Sequence, residues 1–237
     1  MTPPASPRVT TLGSPRVHRR VTGSTSVDAR DLAIAGAPHG TLVTALEQTE
    51  GRGRQGRRWH APPGSALLCS LVLRDPPPLL SIVAGVAVAE LAGPTAMLKW
   101  PNDVLLDGRK VAGILIEGRP QERWAVLGIG LNVAVAIDDL PMELSGSAGT
   151  LGLGVDAVEP SLARLLERLQ DWLERPSAEV LGAWRTRDAL LGTGLRWRDG
   201  TGTGAGIDAG GRLLVTLADG SEIALDAGEV HLETPRG

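Results

Sequence analysis

The chain has 237 residues, 24 Lys and Arg against 27 Asp and Glu, and a net charge of −3. That balance argues against a general nucleic-acid binder, whose footprint is basic overall, while the length admits one sizeable domain and a small one. A single cysteine excludes an intrachain disulfide framework, and no apolar run approaches the roughly 20 residues of a membrane span.

Phe and Tyr are absent, so any ring-bearing ligand that stacks on an aromatic face must use one of six tryptophans or a histidine. Residues 1–16 are rich in proline and poor in apolar side chains, which predicts a disordered leader. They also lack the apolar core of a signal peptide, so a cytoplasmic protein is expected.

Residues 20–26 read as a strand running into a helix start. Ser24, Thr25 and Ser26 are good N-cap types, and Asp28 favours the first turn. A β-like run at 41–46 leads through Gln48 to Gly51-Arg52-Gly53-Arg54-Gln55-Gly56-Arg57-Arg58-Trp59, with four arginines and three glycines. Glycine at this density suits neither a helix nor a central strand. The segment is expected to be an ordered loop whose backbone approaches an anion closely, with guanidinium forks supplying donors. A solvated basic loop, or one that contacts RNA, is the other reading of these residues alone.

Residues 67–73 read as a buried strand carrying Cys69 as a core thiol, and 79–91 as a buried helix. Residues 96–100 form a strand that places Lys99 near its end, where Pro101 stops regular pairing. Lys99-Trp100-Pro101-Asn102-Asp103 is followed by the hairpin signal Asp107-Gly108, flanked by the apolar runs 104–106 and 110–116. Residues 124–133 form another strand with Gly128 and Gly130 on one face, where a nucleotide or a neighbouring strand could lie.

The Gly/Ser/Asp-rich stretch 135–154 is expected to be mobile. Residues 160–175 carry Leu162, Leu165, Leu166, Leu169, Trp172 and Leu173 at helical spacing, and a second helix is expected over 177–190.

 From Gly192 onward, five short β-like runs alternate with glycine-rich turns, which suggests a small SH3-like barrel. The fold class expected is α+β: a mixed-sheet domain over 17–190 and a small barrel over 191–237.

Taken together, the Arg/Gly loop, Lys99-Trp100-Pro101-Asn102-Asp103 with Asp107 to Glu117, and Gly128-Ile129-Gly130-Leu131-Asn132-Val133 resemble, in order and spacing, the catalytic domain of biotin protein ligases. The resemblance spans roughly 18–235. It implies a class II synthetase-like fold and an ATP-dependent ligase that makes biotinyl-5′-AMP, releases pyrophosphate, and transfers biotin to a lysine of a carrier protein. The acceptor implied is a biotin carboxyl carrier domain such as that of acetyl-CoA carboxylase. Too few residues precede the first motif for the winged-helix module of family members that double as repressors, so DNA binding is not expected.

The resemblance also implies roles. Ser24, Thr25, Ser26, Gln48 and Gly113 would line the biotin site, with Ser26 standing where the family has Asn. Lys99 would bridge the biotin carboxylate and the α-phosphate. Arg52, Gly53 and Arg54 would cradle the acyl-phosphate junction, and Arg57 the triphosphate. Trp59, Asn102 and Asn132 would lie on the nucleotide side, and the 135–154 loop would fold over the adenylate. Asp103 is a candidate to orient Lys99, to deprotonate the incoming lysine or simply to cap the following turn. Lys110 reads as a solvated hairpin residue, although family members hold a lysine here near the phosphates, and Glu117 reads as a site or surface acid.

His18, His39, His60 and His231 show no metal-ligand spacing. No protein-built metal site is therefore expected, and Mg²⁺ is expected to arrive with ATP. A ligase for lipoate or another acid, and an RNA-binding module, are the competing readings. The oligomeric state, monomer or homodimer, is left open.

Overall fold

The computed structural model describes residues 11–226 and 230–232. Its larger sheet has seven strands: β1 (Arg16–Thr22), β2 (Leu42–Gln48), β3 (Ala66–Arg74), β4 (Met97–Lys99), β5 (Asp103–Leu106), β6 (Arg109–Arg119) and β7 (Trp124–Asn132). Their spatial order is β1-β2-β3-β7-β6-β5-β4. β1 and β2 run parallel and every other neighbouring pair is antiparallel, so the sheet is mixed.

The centre of the sheet follows from sequence. Of the nine residues of β3, only Arg74 is not buried, as expected of a strand covered on both faces. The Asp107-Gly108 turn joins β5 to β6 with both residues at positive φ, 51° and 73°, which is the two-residue turn that signal specifies.

Helix α1 (Thr25–Ile34) covers one face of the sheet through Ala29 and Ala33 against Val43, Val72, Trp124 and Val126. The opposite face packs on α2 (Leu80–Ala92), a short α3 (Met142–Ser145) lies beyond β7, and α4 (Val158–Leu173) and α5 (Ser177–Arg185) complete the helical layer. α4 is amphipathic, with Leu162, Leu165, Leu166, Leu169 and Trp172 buried as its spacing predicts.

A second, antiparallel sheet contains β8 (Gly194–Trp197), β9 (Gly200–Ile207), β10 (Leu213–Thr216), β11 (Glu222–Leu225) and β12 (His231–Leu232), in the order β11-β10-β9-β8-β12. Leu195, Ile207, Leu213, Val215 and Val230 join the same apolar core as α2 and β3. A hydrogen bond from Trp100 Nε1 to the Gly211 carbonyl, 3.0 Å, ties the two sheets together. The fold is α+β.

Three expectations need correction. Residues 11–16 are not a disordered leader: Leu12 is buried in the core, Gly13 N–H donates to the Gly40 carbonyl, and Arg16 already belongs to β1; residues 1–10 lie outside the described residues. The second helix ends at Arg185 rather than near 190. There the Leu98 N–H donates to the Arg187 carbonyl and the Ala189 N–H to the Leu98 carbonyl, so strand-like pairing replaces helix. The stretch 135–154 is held in place, because the Lys110 N–H donates to the Ser147 carbonyl and the Gly149 N–H to the Lys110 carbonyl.

Candidate active site

Strand alternation builds the floor of a cavity. On β7, Trp124 and Val126 face α1, and on the same face Gly128, Gly130 and Asn132 follow with little or no side chain until the last. Gly113 on β6 pairs with Gly130, and Ser70 on β3 pairs with Gly128. α1 begins at this point, so the sheet face beyond it is left open. The result is a cavity of about 460 Å³, lined by every residue expected to contact biotin or ATP, together with Asp103 and Lys110.

The Arg/Gly loop closes on itself. The Trp59 N–H donates to the Gly51 carbonyl at 2.9 Å and the Gly53 N–H to the Arg57 carbonyl at 2.8 Å. A Cβ at Gly51 would lie 2.4 Å from the Trp59 carbonyl oxygen, so this glycine allows the loop's own ends to meet. The turn at its tip has Gln55 and Gly56 at positive φ. The folded loop lays the Trp59 ring over the floor: a Cβ on Gly113 would sit 3.1 Å from the ring and one on Gly130 only 2.5 Å away. Trp59 therefore occupies the glycine face that the sequence left open to a nucleotide or a neighbouring strand.

At one end of the cavity Ser24, Thr25 and Ser26 stand at the start of α1. Ser24 is the N-cap residue, yet its side chain makes no capping hydrogen bond, and its Oγ is buried without a partner. Buried polar atoms are normally satisfied, so Ser24 marks a place for a ligand group. Gln48 Oε1 accepts from the Thr25 N–H at 2.7 Å and from Thr25 Oγ1 at 2.9 Å.

At the other end, cations converge. Lys99 stands at the end of β4 and is more than half buried; desolvation lowers its pKa, Asp103 opposes that shift, and the charges of Lys110 and Arg57 add to it. Arg54 is also lowered, first by burial, and its Nη1 lies 3.5 Å from Asn102 Oδ1. Asn102 Nδ2 donates to the Ile114 carbonyl. Its amide therefore braces β6 and Arg54. Arg52 Nη1 pairs with Glu117 Oε1 at 3.0 Å, which places that acid beside the site.

One side chain differs from expectation. Lys110 is not a solvated hairpin residue: its Nζ lies 2.6 Å from Asp103 Oδ1 and 5.8 Å from the Trp59 ring centroid. Asp103 accordingly pairs with Lys110 and acts on Lys99 only through its charge. Asn132 is buried, donates from Nδ2 to the Gly149 carbonyl at 2.8 Å, and leaves Oδ1 without a partner. Leu144, Ser147 and Ala148 from the 135–154 stretch, and Val230 just before β12, also line the cavity. Their apolar or small side chains carried no signal in the sequence.

Chemically, the arrangement can neutralise an anion with several cations in a half-buried setting while a polar, partly unsatisfied pocket receives an uncharged group. Cys69 supplies no nucleophile, since burial pushes its thiol up to about 12. Among the described residues, no group of three or more His, Cys, Asp or Glu is placed to hold a metal ion, and no helix is long and apolar enough to cross a membrane.

Comparison with known proteins agrees with this geometry. The profile of the biotin/lipoate A/B protein ligase family matches residues 18–133. The chain is similar to the biotin–[acetyl-CoA-carboxylase] ligase of Paracoccus denitrificans, at 37% identity over 88% of this chain and 97% of the relative. It is similar at 34% identity to the enzyme of the same name from Mycobacterium tuberculosis, over 89% of this chain and 86% of the relative. Among solved structures, the biotin protein ligase from Aquifex aeolicus in complex with biotin and ATP superimposes with a TM-score of 0.77 at 28% identity, covering 92% of this chain and 98% of that one. The chain thus belongs to the biotin/lipoate A/B protein ligase family, and it is a ligase of the biotin protein ligase kind.

Proposed function

We propose that this ligase activates biotin with ATP and then transfers it to a carrier-protein lysine. In the first step a biotin carboxylate oxygen attacks the α-phosphorus, the bond to the β-phosphate breaks, and pyrophosphate leaves with biotinyl-5′-AMP retained. In the second, a lysine ε-amine attacks the acyl carbon, AMP departs and the amine loses a proton. The observation that carries the reading is one cavity with an unsatisfied hydroxyl pocket at one end and Lys99, Arg52, Arg54 and Lys110 at the other. A carboxylic acid with a polar head group fits that polarity.

In this reading Lys99 bridges the carboxylate and the α-phosphate, and Arg52, Gly53 and Arg54 cradle the acyl-phosphate junction. Arg57 holds the triphosphate, Trp59 and Asn132 flank the adenosine, and Asn102 keeps Arg54 aimed. The 135–154 stretch, already paired with Lys110 and Asn132, shields the anhydride from water. Asp103 on the cavity wall and Glu117, the partner of Arg52, are each ion-paired to a protein cation, so Mg²⁺ fits best as a passenger on the ATP phosphates. Residues 17–190 would form the biotin/ATP unit and 191–237 an SH3-like unit. A biotin carboxyl carrier domain is the acceptor proposed.

The test is mass spectrometry of a biotin carrier domain after incubation with this protein, Mg-ATP and biotin, alongside pyrophosphate release with biotin and with lipoate. One biotin added to one lysine is the expected result. Pyrophosphate release with lipoate alone would sink the reading.

A further inference from the structure

Ser70 is fully buried on β3, behind the cavity wall, and its hydroxyl lies 2.9 Å from Thr25 Oγ1 and 3.1 Å from Ser26 Oγ. The direction of these hydrogen bonds can be worked out from one end. A backbone N–H only donates, so the Thr25 N–H fixes the group facing it as Gln48 Oε1, a pure acceptor. Thr25 Oγ1 lies 2.9 Å from the same oxygen, so the Thr25 hydroxyl must spend its proton there. In the Thr25–Ser70 contact Thr25 can then only accept, and Ser70 donates. With its single proton committed, Ser70 can only accept from Ser26, and Ser26 donates to Ser70. The opposite sense would leave Thr25 and Ser70 oxygens facing each other at 2.9 Å with no proton between them.

We propose that Ser70 is a positioning residue: it holds the Ser26 proton away from the cavity, so that Ser26 presents only lone pairs and accepts an N–H from the ligand. Gly128 is part of the device. It lies opposite Ser70 in the strand register, and a Cβ there would come within 2.6 Å of Ser26 Oγ, so glycine makes the room in which Ser26 can turn toward Ser70. Ser24 is complementary, because its partnerless hydroxyl is free to donate. An acceptor at Ser26 beside a donor at Ser24 suits a cyclic urea, which carries N–H groups on either side of a carbonyl. The inference rests on the biotin reading above and goes beyond it by naming what polarises the pocket.

Removing the Ser70 hydroxyl leaves Ser26 without its acceptor, and its proton is then free to swing toward the ligand N–H. The experiment compares full-length wild type, Ser70→Ala and Gly128→Ala in pyrophosphate release at saturating ATP. Each is given biotin and the two biotins methylated on one or the other ureido nitrogen. In Ser70→Ala the KM for biotin is expected to rise about tenfold, as for one lost hydrogen bond, with kcat and the KM for ATP within about twofold. Wild type is expected to discriminate against one of the two methylated biotins, and that discrimination should fall about tenfold in the variant.

A purely structural role would weaken biotin and its methylated forms alike, and an unchanged ratio would overturn the proposal. Gly128→Ala, whose Cβ would crowd Ser26 Oγ at 2.6 Å but meet Ser70 Oγ only at an ordinary contact distance of 3.5 Å, should lose the same discrimination; if it keeps the wild-type ratio, the proposal also fails. Wild type inactive on biotin would overturn the substrate reading itself, a different result from an active wild type with an unchanged ratio.

Discussion

Gly130 and Trp59 are matched: a Cβ placed on the glycine would lie 2.5 Å from Cε2 of the indole, and 2.8 and 2.9 Å from two further ring carbons. The ring belongs to a loop rather than to the core, so it would move before the strand did. Overpacking of this kind costs about 1–3 kcal/mol. Gly130→Ala is expected to push the ring from the floor and raise the KM for ATP by about tenfold or more, with a smaller effect on biotin. Steady-state pyrophosphate release at varied ATP checks this, and an unchanged KM for ATP would show that the Trp59 position is irrelevant to the nucleotide.

Lys99 gives a prediction in which activity and stability move in opposite directions. Burial lowers its pKa below the ordinary 10.5; Asp103 partly restores it, and the charges of Lys110 and Arg57 act in the same direction as burial. The protonated form is thus less favourable in the folded chain than in the unfolded one. That penalty is complete below the depressed pKa and is relieved as pH rises through it toward 10.5. Lys99→Met should therefore raise Tm at neutral pH, with the gain shrinking as pH approaches 10.5, while adenylate formation falls at least about 100-fold. Thermal melts across this pH range would contradict the argument if the gain grew with pH.

Arg52 is paired with Glu117, but its side chain is 43% exposed and that of Glu117 22%, so the pair contributes under about 1 kcal/mol to stability. Its value is in aiming the guanidinium. Arg52→Ala should melt within a few degrees of wild type yet release biotinyl-5′-AMP to solution about tenfold faster. Separation of free from bound intermediate in a single turnover measures this directly. Equal retention would remove Arg52 from the cradle.

Much of this site could be read from the sequence because its signals are local. The Arg/Gly loop cannot be a helix or a central strand, Pro101 stops the strand that carries Lys99, and Asp107-Gly108 specifies its hairpin. Other features depend on contacts distant in sequence. Ser70 looks like one polar residue in a buried strand, and its meaning appears only when β3 places it beside α1. Lys110 looks like a hairpin lysine until the bulge between Val104 and Leu105 shifts the register of β5 against β6 and its Nζ meets Asp103. Residues 186–190 keep helical composition, but pairing with Leu98 decides their conformation.

Trp100 shows how the second sheet reaches the chemistry. It is adjacent to Lys99, only 3% exposed, and its Nε1 donates to the carbonyl of Gly211, a residue whose φ of +79° belongs to the turn before β10. Trp100→Phe keeps most of the apolar contact and removes the donor, which leaves the Gly211 carbonyl without its indole partner. The loss should be about 1 kcal/mol, or a Tm lower by roughly 2–4 °C in a chain of this size. If the hydrogen bond only staples the sheets, kcat will be unchanged once the protein is folded. If the second sheet also braces the end of β4, kcat for pyrophosphate release will fall several-fold at a temperature well below the melt, and amide exchange will quicken both near Gly211 and at Leu98. The second outcome is expected, because Lys99 sits one residue from the anchored indole and its placement tolerates little drift. Faster exchange near Gly211 with wild-type kcat would confine Trp100 to a structural role.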